Sequence, residues 1–319
     1  MQSSCKNQQR LGTRGLGRAE GGIVITSYYS IDVESWAHSS RPSFAALSTS
    51  ERKCVDGGAT AWQVRRLLAL LKKLDLRLTF FITGEVFDWH PLLIDEIAQD
   101  GHEIGFHSQD HHVLSCSEDL EKEIVAARRF IASWQPAGFR APAMGMVETA
   151  YEVLRESGFV YSSSVYASCD SIPINGVVEI PVSTQPWSWS RLKNPTIPAP
   201  MSARLWAREI PYGSGYVLGL LGWRNVHAIM ESRAARGLPS NLFVHNWQLY
   251  WHDRRSFSHQ YIEALRNPLH FPYARVIGRD FIELCRRHSF SRLDTHPAIR
   301  DRLRDSGQPR TQVSSLSRL

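Results

Sequence analysis

The chain has 319 residues, of which 43% are hydrophobic and 21% charged. That is room for one large domain or two small ones and too apolar for a disordered protein. A net charge of +6 suggests a nucleic acid or a membrane, but residues 1–22 and 289–319 contribute +3 each, while residues 23–288 carry 27 basic and 27 acidic groups. The body is therefore neutral. No nucleic-acid partner is expected, and any contact with an anionic membrane falls to the tails.

The N-terminal tail, residues 1–22, is rich in Gly, Arg and Gln and has no apolar core of a secretory signal, so the expected location is the cytoplasm, the inner face of the membrane included. No stretch approaches the roughly 18 apolar residues of a membrane span. Ile23–Val33 and Leu78–Thr83 read as strands. Between them Ala61–Leu74 sets Val64, Leu67, Leu68 and Leu71 on one helical face. Pro91–Gln99 is a second helix, and His102–His107 returns as a strand. Glu118–Trp134 reads as one long helix with Ser117 as N-cap. Then come a short strand at Gly138–Arg140, a helix at Val147–Ser157 and a strand at Phe159–Ser163. Val177–Val182 and Leu242–His245 are later strands, and Tyr261–Asn267 and Arg279–His288 are late helices. The polar segment 289–319 reads as a second disordered tail. Strand and helix alternating in this way give a parallel sheet, either open or closed as a barrel of about seven strands. Cys5, Cys54, Cys116, Cys169 and Cys285 form no C-x-x-C pair and read as inert thiols.

In such folds chemistry gathers where the strands end, and here the strand ends are polar. The first strand closes on Asp32-Val33-Glu34, whose two carboxylates point the same way because strand side chains alternate. Adjacent carboxylates need a cation or a proton between them. The third strand runs into His107 and His111, four residues apart, which would share a face if the segment turned helical. Arg140, at the end of the fourth strand, needs a carboxylate, for which Asp32 is the natural partner. His245 ends the last strand of the body and could act as a general acid. Trp187, Trp189, Trp247 and Trp251 flank these late strands and offer flat faces for sugar rings. His38, His102, His112, His227 and His252 read as structural or exposed.

Taken in order, Asp32-x-Glu34, Thr79–Gly84 (TFFITG), Gly101–His111 (GHEIGFHSQDH), Arg140-Ala141-Pro142 and the late His245 resemble the polysaccharide deacetylase family, carbohydrate esterase family 4. The likeness runs from about Ile23 to His288, and the Asp-Val-Glu variant is similar to members associated with bacterial exopolysaccharides. It implies a distorted (β/α)7-type barrel forming a single α/β domain. It also implies a divalent metal, zinc above all, held by Glu34, His107 and His111. Asp32 would be the base, Arg140 its orienting partner and His245 the acid. Ala143 would offer an oxyanion N–H, and Trp187 and Trp247 would face the substrate. Glu179 would tune His245. The activity implied is removal of N-acetyl groups from an amino-sugar glycan or an intracellular, nucleotide- or lipid-linked precursor. Two alternatives are hydrolysis of a formamide or ureide C–N bond on the same fold, and a non-catalytic glycan-binding role.

Overall fold

The computed structural model describes residues 25–189, 197, 199–252 and 254–305. Strand β1 is Ser27–Val33, β2 Thr79–Ile82, β3 Glu103–Phe106, β4 Gly138–Phe139 and β5 Tyr161–Ser162. They pair in chain order, all parallel. The strand Asn241–His245 lies on the free side of β1, and Val177–Glu179 extends the sheet beyond β5, also in parallel. Ile172–Ile174 closes that edge antiparallel. The sheet curls until its two sides meet at Asn241, whose backbone N–H donates to Ser183 Oγ (2.9 Å). Asn241 Nδ2 donates to Ser163 Oγ (3.0 Å), Ile180 O (3.1 Å) and Pro181 O (3.1 Å). The expected seven parallel strands follow one another along this path, so the α/β barrel-type fold expected from the sequence is the fold observed.

The pleat of β1 explains its sequence. Tyr29, Ile31 and Val33 point outward into the main core with Val64, Leu67, Leu68 and Leu71 of helix Ala59–Leu74. Tyr28 points to the other side with Phe81, Tyr161 and Leu293, and Ser30 and Asp32 follow it at period two. Apolar side chains therefore face the helices, while polar ones are free to line the interior.

Several boundaries differ from expectation. The segment read as one helix over 118–134 is two, Ser117–Ala126 and Arg128–Trp134, joined at Ala127. Its N-cap is Cys116 rather than Ser117, with Asp119 accepting from Ser115 N–H (3.0 Å). The glycine-interrupted run at Tyr216–Trp223 belongs to a 20-residue helix, Gly215–Ala234, with a break at Gly222 (φ 73°). Among the described residues no helix is long and apolar enough to cross a membrane.

The largest correction concerns the segment after Ser289. Phe290–Ser291 pairs with β1, and the fully buried Leu293 and Ile299 pack on Tyr28 and Phe81. Sparse apolar spacing concealed this, because only a few residues of the segment are anchors. The fold therefore continues to helix Pro297–Asp305; the tail 1–22 and residues 306–319 lie outside the described residues.

Beneath this end of the barrel, Glu103 accepts from Thr79 Oγ1 (2.6 Å), Tyr161 OH (2.7 Å) and Asp294 N–H (3.1 Å). Burial, with Asp294 nearby, pushes its pKa up to about 8. A carboxyl raised in the folded state costs stability as pH climbs from the ordinary glutamate value toward that figure. Melting temperature is therefore expected to fall between pH 5 and pH 8.5, and Glu103→Gln to flatten the slope; an unchanged slope would remove Glu103 as its source. Truncation after His288 strips Leu293 and Ile299 from the core, at about 2–5 kcal/mol for each large aliphatic lost. Denaturant unfolding of the truncated chain should show that deficit.

Candidate active site

The interior polar face of β1 meets Arg140 at the end of β4. The guanidinium is fully buried, donating from Nη1 to Asp32 Oδ1 (2.7 Å) and Ser30 Oγ (2.7 Å). Nε donates to Ser163 O (2.8 Å) and Nη2 to Ser163 Oγ (2.8 Å). The rings of Phe81 and Phe243 lie 4.3 and 4.8 Å from its carbon. The sequence assigned this partner to Asp32, and the two side chains are brought together.

His107 and His111 also converge, though not on a helix. Their segment is a loop with Ser108 (φ 64°) and His111 (φ 67°) in the left-handed region, a conformation that strains non-glycine residues and gathers at functional sites. Ser108 O accepts from Gly84 N–H (2.9 Å), Gln109 O from Glu85 N–H (2.7 Å), and Glu123 accepts from Gln109 N–H (2.7 Å). The loop is thus clamped by neighbouring helices.

The ring orientations follow from the outer partners. His107 Nδ1 lies 2.8 Å from Arg140 O, which can only accept, so Nδ1 carries a proton and, in the neutral ring, Nε2 carries a lone pair. That Nε2 is buried with no hydrogen-bond partner and faces Glu34 Oε2 at 3.6 Å. His111 Nε2 reaches the same oxygen at 2.6 Å, and its Nδ1 meets Ser40 Oγ (2.8 Å). Burial favours a neutral Glu34, but His111, His38 and His245 hold its carboxyl well below the usual range. An ionised buried carboxylate needs positive charge beside it, which either protonated imidazoles or a bound cation supply. The donor set of one carboxylate oxygen and two imidazoles fits a divalent metal.

His245 ends its strand in register with Asp32, and its Nε2 lies 3.7 Å from Glu34 Oε1. Gln248 Oε1 accepts both the backbone N–H (3.0 Å) and Nδ1–H (2.9 Å) of His245, leaving Nε2 as the working atom. A Cβ at Gly215 would overlap Gln248 Oε1, so glycine there makes room for this contact. Burial lowers the His245 pKa against the pull of Glu34 and Asp32.

Other assignments change. Glu179 does not reach His245. It accepts from Ser164 N–H (2.7 Å), Val165 N–H (3.1 Å) and Tyr151 OH (2.8 Å), and burial raises its pKa; the partner of His245 is Gln248. Trp187 is 63% exposed, with its indole N–H donating to Trp206 O (2.9 Å), away from the site. Trp247 lines the site but is buried, donating to Glu34 Oε1 (3.0 Å) and stacking on His245 at 4.7 Å. Trp251 packs on Phe257 instead (4.3 Å). Ala143 lines the cavity at φ 52°, and its N–H has no partner among the described residues.

His38, read as structural or exposed, is a residue the sequence reading missed. It is buried against His111 with ring centroids 4.2 Å apart, and Ser40 Oγ bridges its Nδ1 (2.7 Å) to His111 Nδ1. The only signal was its spacing, four residues after Glu34. Among the described residues the side chains close enough together to hold one ion are Glu34, His38 and His111, and a second such grouping, His227, Glu231 and His288, lies outside this cavity. There the imidazoles bond to each other (2.9 Å).

Residues 54–162 match the family model for polysaccharide deacetylase, a span that includes His107, His111 and Arg140 but neither Asp32 and Glu34 nor His245. A peptidoglycan-N-acetylglucosamine deacetylase from Bacillus cereus is 30% identical over 108 residues, 33% of this chain and 51% of that protein. The chain thus matches about half the length of that relative. A peptidoglycan deacetylase-like protein from Gibberella zeae is 24% identical over 274 residues, covering 78% of this chain and 76% of its own. Among solved structures, a Mycobacterium smegmatis protein titled as a polysaccharide deacetylase superposes with a TM-score of 0.55 at 21% identity, covering 93% of this chain and 96% of its own. Puue allantoinase does so with 0.53 at 16% identity, over 88% and 91%. These superpositions speak for the fold alone.

Metal analysis separates ligands from neighbours. Glu34→Ala, His107→Ala and His111→Ala should each abolish zinc uptake by the purified protein. Ser40→Ala should weaken it by about 10- to 100-fold, the usual effect of removing a group that orients a ligand. Unchanged zinc content in Glu34→Ala would show that the carboxylate ligand is another residue.

Proposed function

We propose that the chain, whose residues 54–162 match the polysaccharide deacetylase model, is a metal-dependent hydrolase of that kind, removing N-acetyl groups from an amino-sugar glycan or glycan precursor. The observation that carries the reading is the convergence of His107 Nε2, buried without a hydrogen-bond partner, and His111 Nε2 on Glu34 Oε2, beside the Asp32–Arg140 pair and His245. Glu34, His107 and His111 would hold the ion. When bound, a divalent ion supplies Lewis acidity, polarising an amide carbonyl and acidifying water.

The remaining work falls to the side chains. Arg140 holds and aims Asp32, so Asp32 accepts the proton of the attacking water. As the carbonyl becomes tetrahedral, the unpartnered Ala143 N–H donates to its developing negative charge. The second proton passes from His245 Nε2 to the leaving nitrogen. Because burial lowers its pKa, a protonated His245 is a stronger acid than a free imidazolium, which favours that transfer. The C–N bond breaks, giving acetate and a free sugar amine. Trp247 contributes by holding Glu34 and supporting the His245 ring rather than by offering a sugar platform.

Acetate release from N-acetylated oligosaccharides tests this reading. Zinc-loaded protein should release acetate and lose activity to a chelator. Asp32→Asn and His245→Ala should lower kcat by about 100- to 10,000-fold, the range for general acid–base groups. Undiminished activity in Asp32→Asn would remove it as the base. Absence of acetate release from every N-acetylated saccharide tried would remove the function itself.

A further inference from the structure

We propose that Arg41 forms an anion subsite beside the metal ligands, selecting N-acetylated sugars that also carry an oxyanion, a carboxylate or a phosphate. This rests on the saccharide deacetylase reading and narrows its substrate class.

Arg41 lies in the loop after Glu34, and its Nε–H donates to His38 Nε2 (3.0 Å). The guanidinium carbon sits 4.9 Å from the centre of the Trp247 ring, so an indole face and an imidazole hold the plane in place. Nη1 and Nη2 have no hydrogen-bond or ion-pair partner among the described residues. Arg41 lines the same cavity, about 440 Å³, as Asp32, Glu34 and His245.

The nearby acids are otherwise engaged. Asp32 is paired with Arg140. Glu34 accepts the Trp247 indole N–H with one oxygen and faces His107 and His111 with the other. Glu263 lines the cavity but pairs with Arg266 (3.2 Å), and no ion pair joins it to Arg41. With a divalent ion at Glu34, the cavity carries surplus positive charge, one part of it an unpaired guanidinium fork. Its two parallel N–H groups match the two oxygens of a carboxylate or phosphate. His38 alone separates Arg41 Nε from Glu34, so the oxyanion would sit on the sugar being deacetylated or its immediate neighbour.

Calorimetric binding to the zinc-loaded protein tests the subsite independently of turnover. The probes are N-acetylglucosamine as the neutral sugar, N-acetylmuramic acid as the carboxylate and N-acetylglucosamine 1-phosphate as the phosphate. At least one anionic probe should bind about 10- to 100-fold more tightly than the neutral one, as expected for a charge-assisted pair. Which one does so identifies the oxyanion. Arg41→Gln should abolish the preference, and Arg41→Lys should restore part of it. Equal binding of all three probes, or no binding, would overturn the subsite. A preference that survives in Arg41→Gln would also overturn it, since the anion would then be held by the metal. Preferential binding without acetate release from any saccharide would instead defeat the deacetylase reading while leaving the subsite standing.

Discussion

The site depends on one buried charge. Arg140 has lost all contact with water, and a guanidinium in that position is tolerated only when its donors are spent on well-placed acceptors. Asp32, Ser30 and Ser163 supply them, with Phe81 and Phe243 on its flanks. Those residues come from β1, β2, the loop after β5 and the strand Asn241–His245, so a single side chain ties several staves of the barrel together. The carbonyl of the same residue sets the His107 tautomer. Removing the charge would therefore disturb both the fold and the chemistry.

Around that centre each working group is aimed by a second one. Gln248 orients His245, Trp247 holds Glu34, and Ser40 links His111 to His38. Such outer partners set which ring nitrogen keeps its lone pair, and so decide whether a cluster of imidazoles can hold a cation. The left-handed backbone at Ser108 and His111 belongs to the same design. A regular helix would have placed the rings one turn apart on one axis, whereas the bent loop turns them onto a common carboxylate oxygen.

The loop after β1 has two tasks. His38 and Ser40 brace His111, while Arg41 extends past His38 over Trp247 into the cavity. An indole that binds Glu34 on its N–H and lies under a guanidinium links Glu34 to Arg41 across the cavity.

Much of this was legible in the chain. Period-two alternation in SYYSIDV put Asp32 on the interior, the 64, 67, 68, 71 spacing set the helix that covers β1, and polar strand ends located Glu34, His107, Arg140 and His245. These features are local, because strand and helix periodicities are written in adjacent residues. The tertiary structure alone decided matters that join distant segments. Gln248 rather than Glu179 meets His245, Trp247 is a brace while Trp187 lies outside, and His38 belongs to the site. It also drew Leu293 and Ile299 into the core from a segment with too little periodicity to announce a strand or helix. Side-chain partners across the barrel depend on how the sheet curls and where each loop bends, and neither is encoded in the spacing of neighbouring residues. The sequence by itself determined which groups reach the mouth of the barrel; packing determined which of them touch.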